Sequence, residues 1–401
     1  MLLDELIMMA WMTPFFYSGM SILGGLAQML KYRRCNNAED RDLEVIIFQI
    51  PTIGNYRTVN QIFEIVRGYH FPVPLQCWAV VEEADPEKGN YNADRTVVVP
   101  AHFTCNALYK ARALEWARRL RRQLVEEGAL PSKYLLMQAD DDSYPSKEFA
   151  EECLRVEASL IVGTITPRTQ GFWSTILDYE RSVACITTCN FWTNMDTPIW
   201  AHGEALCISA EVDREVEYSF EGVTEDDVFG DKLPTSKIIS SEDMIYTHKV
   251  ANTGKYRLYN STKPVLIAPP LTIRDAVKQR RRWTWGHWRL IRHGLLPLSS
   301  ILRLLLQWGL GLGVYVVALV GIPLYLLNLF SYPPELRLAT YSTLLLWLGL
   351  RGYCVGKVKG PKHAVAAALA SYLTVTLNFF VHVAGILQGD PKRFDVIRKV
   401  V

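Results

Sequence analysis

Residues 133–145 read "KYLLMQADDDSYP". The first half is a short apolar run without a turn former, and the second delivers three aspartates ahead of Ser143, Tyr144 and Pro145. A run of this kind bounded by turn residues reads as a strand buried on both faces. Alternate residues of an extended segment point the same way, so Asp140 and Asp142 converge on one ligand while Asp141 points elsewhere. Two carboxylates held that close repel one another unless a cation lies between them. A hard divalent ion, Mg²⁺ or Mn²⁺, takes one or two carboxylates together with phosphate oxygens. The plainer reading is a solvated turn, since Asp and Ser favour turns; the buried strand ahead of the acids favours the metal.

Working outward, "LEVIIFQIP" (43–51) and "LQCWAVVEE" (75–83) read as two further buried strands, and "NALYKARALEWARRLRRQLVEEG" (106–128) as a helix with a basic outer face and a terminal glycine. Strand and helix alternating, with acids at a strand end, describes an α/β domain with an open parallel sheet that binds ligands beyond its carboxyl edge.

Outside 40–284 the character changes. Leu6–Leu30, Leu304–Phe330 and Ala364–Leu387 carry no formal charge, and each is long enough to span a bilayer; Leu338–Val355 is interrupted by Arg351. Lys31, Arg33 and Arg34 follow the first segment, which places the residues after it in the cytoplasm. "WGHWRLIRHGLLPL" (285–298) mixes Trp, Arg and Leu as a helix lying on a membrane does. The expected organisation is a transmembrane helix at 1–32, a catalytic domain at 40–284, an interfacial helix at 285–300, a transmembrane region at 301–388 and a tail at 389–401. The expected localisation is a multi-pass integral membrane protein with its catalytic domain in the cytoplasm. Charged residues at 21% and apolar residues at 49% suit that mixture, and a net charge of +2 gives no field for nucleic acid. The eight cysteines form no CxxC pair. Cys185 and Cys189 have no histidine at metal spacing in the sequence and read as reduced core thiols.

The second cluster is "KQRRRWTWGHW" (278–288). Gln279, Arg282 and Trp283 lie at i, i+3 and i+4 and share a helix face. Arginine there can hold a phosphate or carboxylate with two bonds, and tryptophan can stack on a sugar ring. A basic helix resting on anionic lipid is the alternative, and it would account for Arg280 and Arg281.

Together these segments resemble the membrane-embedded inverting glycosyltransferases of family 2, which include cellulose, chitin and hyaluronan synthases. The nearest likeness is to the egghead-type β-mannosyltransferases, through "YKARAL" (109–114), "SEDMIYTHKVANTGKY" (241–256) and "TIRDAVKQRRRW" (272–283) in similar order and spacing. The resemblance implies a GT-A fold (Rossmann-like, with a mainly parallel sheet), a UDP- or GDP-sugar donor and a divalent cation. By the same likeness Asp140 and Asp142 hold the metal and donor diphosphate, and Gln279, Arg282 and Trp283 lie at the diphosphate and acceptor end. Lys110 is placed near the donor, Glu82 and Glu83 face the nucleotide base, and the "AHGEAL" segment, with His202, Gly203 and Glu204, lines the sugar pocket.

An inverting transfer needs one general base for the acceptor hydroxyl and no second acid, because a metal-bound nucleoside diphosphate leaves readily. Two acid pairs compete for that role. Asp226 follows Glu225 in a stretch where Pro234 stops any helix within a turn. Asp243 follows Glu242 and opens an apolar helical segment that ends at Gly254, nearer to Gln279, as the resemblance requires. Asp243 is therefore the expected base, kept ionised by a helix N-terminus. The acceptor expected from the membrane context is a glycolipid or lipid-linked sugar. Rival readings are a processive polysaccharide synthase and a non-catalytic membrane scaffold or lipid transporter.

Overall fold

The computed structural model describes residues 10–36, 40–105, 107, 109–168, 172–200, 202–218, 242–292, 294–327 and 334–390. Among these, eight strands form one sheet: β1 Val45–Thr52, β2 Leu75–Glu82, β3 Arg95–Val99, β4 Tyr134–Ala139, β5 Ser143–Pro145, β6 Leu160–Pro167, β7 Ala205–Ser209 and β8 Leu258–Ile267, in the order β3-β2-β1-β4-β7-β6-β8-β5. The pairings β3–β2, β2–β1, β1–β4 and β6–β8 are parallel; β7 runs antiparallel between β4 and β6, and β5 antiparallel to β8.

The helices are α1 Thr13–Cys35, α2 Tyr56–Arg67, α3 Tyr109–Glu126, α4 Lys147–Arg155, α5 Phe172–Ala184, α6 Ala210–Glu215, α7 Glu242–Asn252, α8 Ile273–Arg292, α9 Leu298–Leu324, α10 Pro334–Lys359, α11 Pro361–Leu369 and α12 Ser371–Leu387. After α5 the chain passes through a π-helical turn, Cys185–Cys189, into a short helix, Asn190–Asn194.

The central strands are apolar throughout because both faces of the sheet are covered. Ile46, Phe48 and Ile50 of β1 pack with Val59, Ile62 and Phe63 of α2 on one face. Val45 and Ile47 pack with Ala113, Leu114 and Ala117 of α3 on the other. One buried ion pair crosses the second layer: Arg121 of α3 makes two 2.7 Å bonds to Asp213 of α6, which also accepts from the Tyr134 hydroxyl at 2.7 Å. A charge so enclosed is tolerable only with such a partner. α3 stops at Glu126, and Gly128 turns the chain with φ +71°; α7 likewise gives way to Gly254 at φ +63°.

By length and hydropathy one helix among the described residues can cross a membrane, Leu298–Leu324; α11 and α12 together would make a second, bent by 66°. The helix Thr13–Cys35 and the helix Pro334–Lys359 are not among them. Arg351, which interrupts the apolar run in α10, points inward, fully buried, with Nη1 2.6 Å from Glu180 of α5.

Two features of α8 differ from the sequence reading. α8 runs unbroken from Ile273 to Arg292, so the boundary drawn at 284/285 falls inside one element. Three of its arginines, for which lipid was the alternative or the interfacial reading, have protein partners. Arg280 is buried and bonds Gln279 Oε1 at 2.9 Å and Asp178 Oδ1 at 3.4 Å. Arg281 donates to the Gly389 carbonyl at 2.6 Å, and Arg289 pairs with Asp390. The basic face is used to close α8 against the end of α12. The tail at 391–401 and Asp226 lie outside the described residues.

Candidate active site

β4 ends at Ala139, and the three aspartates occupy the corner between it and β5. Asp140 and Asp141 point apart: Asp140 Oδ1 pairs with Lys110 of α3, while Asp141 Oδ2 accepts from Thr52 of β1 at 3.1 Å. Asp142 is buried, and its carbonyl accepts from Arg168 at 3.1 Å and from the Ala268 N–H at 3.2 Å. Ser143 fixes the corner, accepting from the Asp140 N–H at 3.0 Å and donating to the Glu204 carbonyl at 2.8 Å.

Lys110 is the hub. Its Nζ also lies 3.3 Å from Glu242 Oε1 at the start of α7. Burial works against the ammonium, but Asp140, Glu242 and Asp243 outweigh it and hold Lys110 well above its ordinary pKa. Next to it, Asp243 Oδ2 accepts the Gly203 N–H at 2.7 Å and Oδ1 accepts the Met244 N–H at 2.9 Å. The helix N-terminus does not keep this acid at the ordinary carboxylate value, as the sequence led us to expect. Burial raises its pKa to about 7, with Glu242 and Glu204 adding to the rise and Lys110 and the Gly203 N–H opposing it.

The remaining candidates fall into two groups. Glu204 pairs with Arg181 of α5, whose guanidinium lies 5.0 Å from the centre of the Trp283 ring; Arg280 lies 4.5 Å from the same ring and bonds the buried Gln279. Glu204, Gln279 and Trp283 are thus linked through two arginines, Arg181 and Arg280. Glu82 and Glu83 lie at the far side of the edge, where Glu82 pairs with Arg112 and Glu83 accepts the Ala101 N–H at 2.7 Å.

His202 faces sulfur: its Nε2 is 3.1 Å from Cys185 Sγ and 3.3 Å from Cys189 Sγ. The cysteine pair, expected to stand without a histidine, has one. Burial alone would raise the Cys185 thiol, but Cys189 and His202 hold it well below its ordinary range. All eight cysteines are free thiols.

The sequence reading missed Arg181 and Asp178, although three charges, Asp178, Glu180 and Arg181, clustered within α5 were a visible signal. It also missed Asp85, a buried acid accepting from the Gly54 N–H at 3.0 Å, the Glu87 N–H at 2.8 Å and the Tyr91 hydroxyl at 2.9 Å. It ties the loops after β1 and β2 together.

The family model described as glycosyl transferase family group 2 matches residues 136–354, more than half of the chain, from within β4 to within α10. The chain belongs to that family. The mixed, mostly parallel sheet of this glycosyltransferase is the Rossmann-like GT-A arrangement. Among solved structures it is similar to a mannosyltransferase from Pyrobaculum calidifontis in complex with GDP-Man and Mn²⁺, at 13% identity, 96% of this chain, 98% of that chain and a TM-score of 0.46. It is also similar to residues 1–349 of S. aureus TarS, at 11% identity, 88% and 94% coverage and a TM-score of 0.33. A third is mannosyl-3-phosphoglycerate synthase from Rubrobacter xylanophilus, at 12% identity, 68% and 80% coverage and a TM-score of 0.37. No curated protein matches the chain significantly.

Proposed function

We propose that this glycosyltransferase moves a sugar, with inversion, from a UDP- or GDP-sugar to a glycolipid or lipid-linked sugar at a membrane surface. The observation that carries the reading is the convergence of Asp140, Lys110, Glu242 and Asp243 on one point at the sheet edge. Asp140 and Asp142 offer oxygen donors only, which fits Mg²⁺ or Mn²⁺. Bound there, the divalent ion supplies charge neutralisation to the leaving diphosphate.

The chain's own residues do the rest. Asp243 takes the proton from the acceptor hydroxyl as the new bond to the anomeric carbon forms and the bond to the diphosphate oxygen breaks. The Gly203 N–H fixes that carboxylate, and a pKa of about 7 makes it a working base near neutrality. Lys110 compensates the acids around it and stands beside the diphosphate. Trp283, with a guanidinium against each of two contacts, offers a platform for the acceptor sugar. In this reading Gln279 holds Arg280 in place, Arg282 faces the diphosphate, and Glu82 and Glu83 bound the nucleotide side.

The membrane part of the reading is supported by exposed leucines on α9, at 302, 305, 306 and 312, together with exposed Ile22, Leu23, Leu26 and Leu30 on α1. Exposed apolar area on that scale marks a partner or a lipid phase. The reading keeps a multi-pass protein with the catalytic domain in the cytoplasm.

The test is a panel of UDP- and GDP-sugars offered to the full chain in lipid nanodiscs with Mn²⁺ and mixed glycolipid acceptors. One donor should release its nucleoside diphosphate, EDTA should stop the release and Mn²⁺ restore it. The product should carry a single added sugar of inverted configuration by NMR. Retention of configuration, or a polymer, would overturn the reading.

A further inference from the structure

One cluster outside the transfer machinery has the chemistry of a ligand set. Cys185 and Cys189 lie four residues apart on the π-helical turn, close to one full winding, so both side chains leave the same face. His202 approaches from the loop ahead of β7, and the two sulfurs and its Nε2 lie within 4.8 Å of one another. We propose that Cys185, Cys189 and His202 bind Zn²⁺, in a site separate from the oxygen-donor site at Asp140 and Asp142.

Charge, softness and distance agree on that ion. Two thiolates and a neutral imidazole balance a dication, leaving no net charge in a place where both cysteines are buried. Mg²⁺ and Mn²⁺ prefer oxygen, so the two sites sort different ions within one chain. Zinc bonds of about 2.3 Å to sulfur and about 2.0 Å to nitrogen put S and N about 3.5 Å apart at a tetrahedral centre. The observed separations are 3.1 and 3.3 Å, so the ion enters with side-chain adjustments of a few tenths of an ångström. Three protein ligands leave the fourth position to water.

The ion's place in the fold gives it a role. His202 precedes Gly203, whose N–H holds Asp243, and Glu204, which pairs with Arg181. Zinc would pin this loop to the π-helical turn and so position the base.

The inference stands apart from the proposed transfer reaction, because its readout is metal content. Full chain purified in detergent from zinc-supplemented cells, assayed by inductively coupled plasma mass spectrometry, should carry about one zinc. The Cys185→Ser/Cys189→Ser variant should lose at least about tenfold, and Asp140→Asn should lose none. Should the double variant fail to fold, the wild type answers alone. Zinc-stripped protein given Co²⁺ should show a sulfur-to-cobalt charge-transfer band that zinc abolishes and excess Mn²⁺ does not, and zinc should protect both thiols from alkylation. Zinc content equal to that of the folded double variant, Co²⁺ binding without the band, or alkylation indifferent to zinc would each overturn the site and leave only a thiol–imidazole hydrogen-bond cluster.

Discussion

The Gly203 N–H points at Asp243 Oδ2 from 2.7 Å, and a side chain at 203 would collide with the group on the other side of that acid: a Cβ there would lie 2.7 Å from Lys110 Nζ and 3.3 Å from Asp243 Oδ2. A side chain at 203 therefore requires the flexible end of Lys110 to move aside. We predict that Gly203→Ala displaces the Lys110 side chain, the most flexible neighbour, and lowers kcat by about 10- to 100-fold through misplacement of charge. Steady-state kinetics beside a thermal melt would check this. An unchanged kcat with an unchanged melt would show that the site has room to spare.

Asp243→Asn removes the proton acceptor and keeps the shape. Transfer should fall by about 10²- to 10⁴-fold, the usual contribution of a general base, while donor affinity measured by calorimetry stays within a few-fold. Asp226→Asn is the control and should retain most activity. The reverse pattern would move the base to Asp226.

The pH profile follows from the raised pKa of Asp243, about 7. A base works deprotonated, so kcat/KM should fall tenfold per unit as pH drops below about 7 and level off above it. Lys110 lowers this pKa, so Lys110→Gln should move the midpoint upward in whatever activity remains. A midpoint near the ordinary carboxylate value in the wild type would contradict the buried environment described for Asp243.

Arg351 and Glu180 form an unequal pair, the arginine side chain fully enclosed and the glutamate one-third exposed. Glu180→Gln strands a charge with no route to water, whereas Arg351→Met leaves an acid that water still reaches. We predict a loss of about 3 kcal/mol for the first and less for the second. Chemical denaturation in detergent would compare them, and equal losses would mean that the guanidinium finds another partner.

What was legible in the sequence was whatever one segment decides alone. β1, β2, β4 and α3 were readable because burial on both faces makes strands continuously apolar and because α3 has one basic side. β3 was not: "RTVVV" is five residues long and opens on a charge. The antiparallel β7 depends on which strands it meets. Asp140 and Asp243 were visible as acids at element ends, but the value of the Asp243 pKa depends on Glu204 and Gly203, which lie some forty residues away in sequence. The partners of the α8 arginines were hidden for the same reason. A basic helix looks alike whether its partners are lipid phosphates or Asp178 and Asp390. Cys185 and Cys189 stand at a same-face spacing, but His202 comes from a separate loop that only the fold brings to them.

α1 fits into the structure through close backbone approaches at glycines as well as through side-chain bonds. A Cβ at Gly24 would lie 2.8 Å from the Phe191 backbone nitrogen, and one at Gly313 would strike Thr13. Lys31 reaches the Asn194 carbonyl at 3.0 Å, and Gln28 reaches Tyr259 at 3.4 Å. A helix seated backbone to backbone cannot take up that seat before its seat exists, and here the seat is made of segments that follow it by more than 150 residues. The docking of α1 is therefore a long-range contact that local folding of the N-terminal segment does not supply. Removing α1 would uncover the turn that carries Cys185 and Cys189, which packs against it.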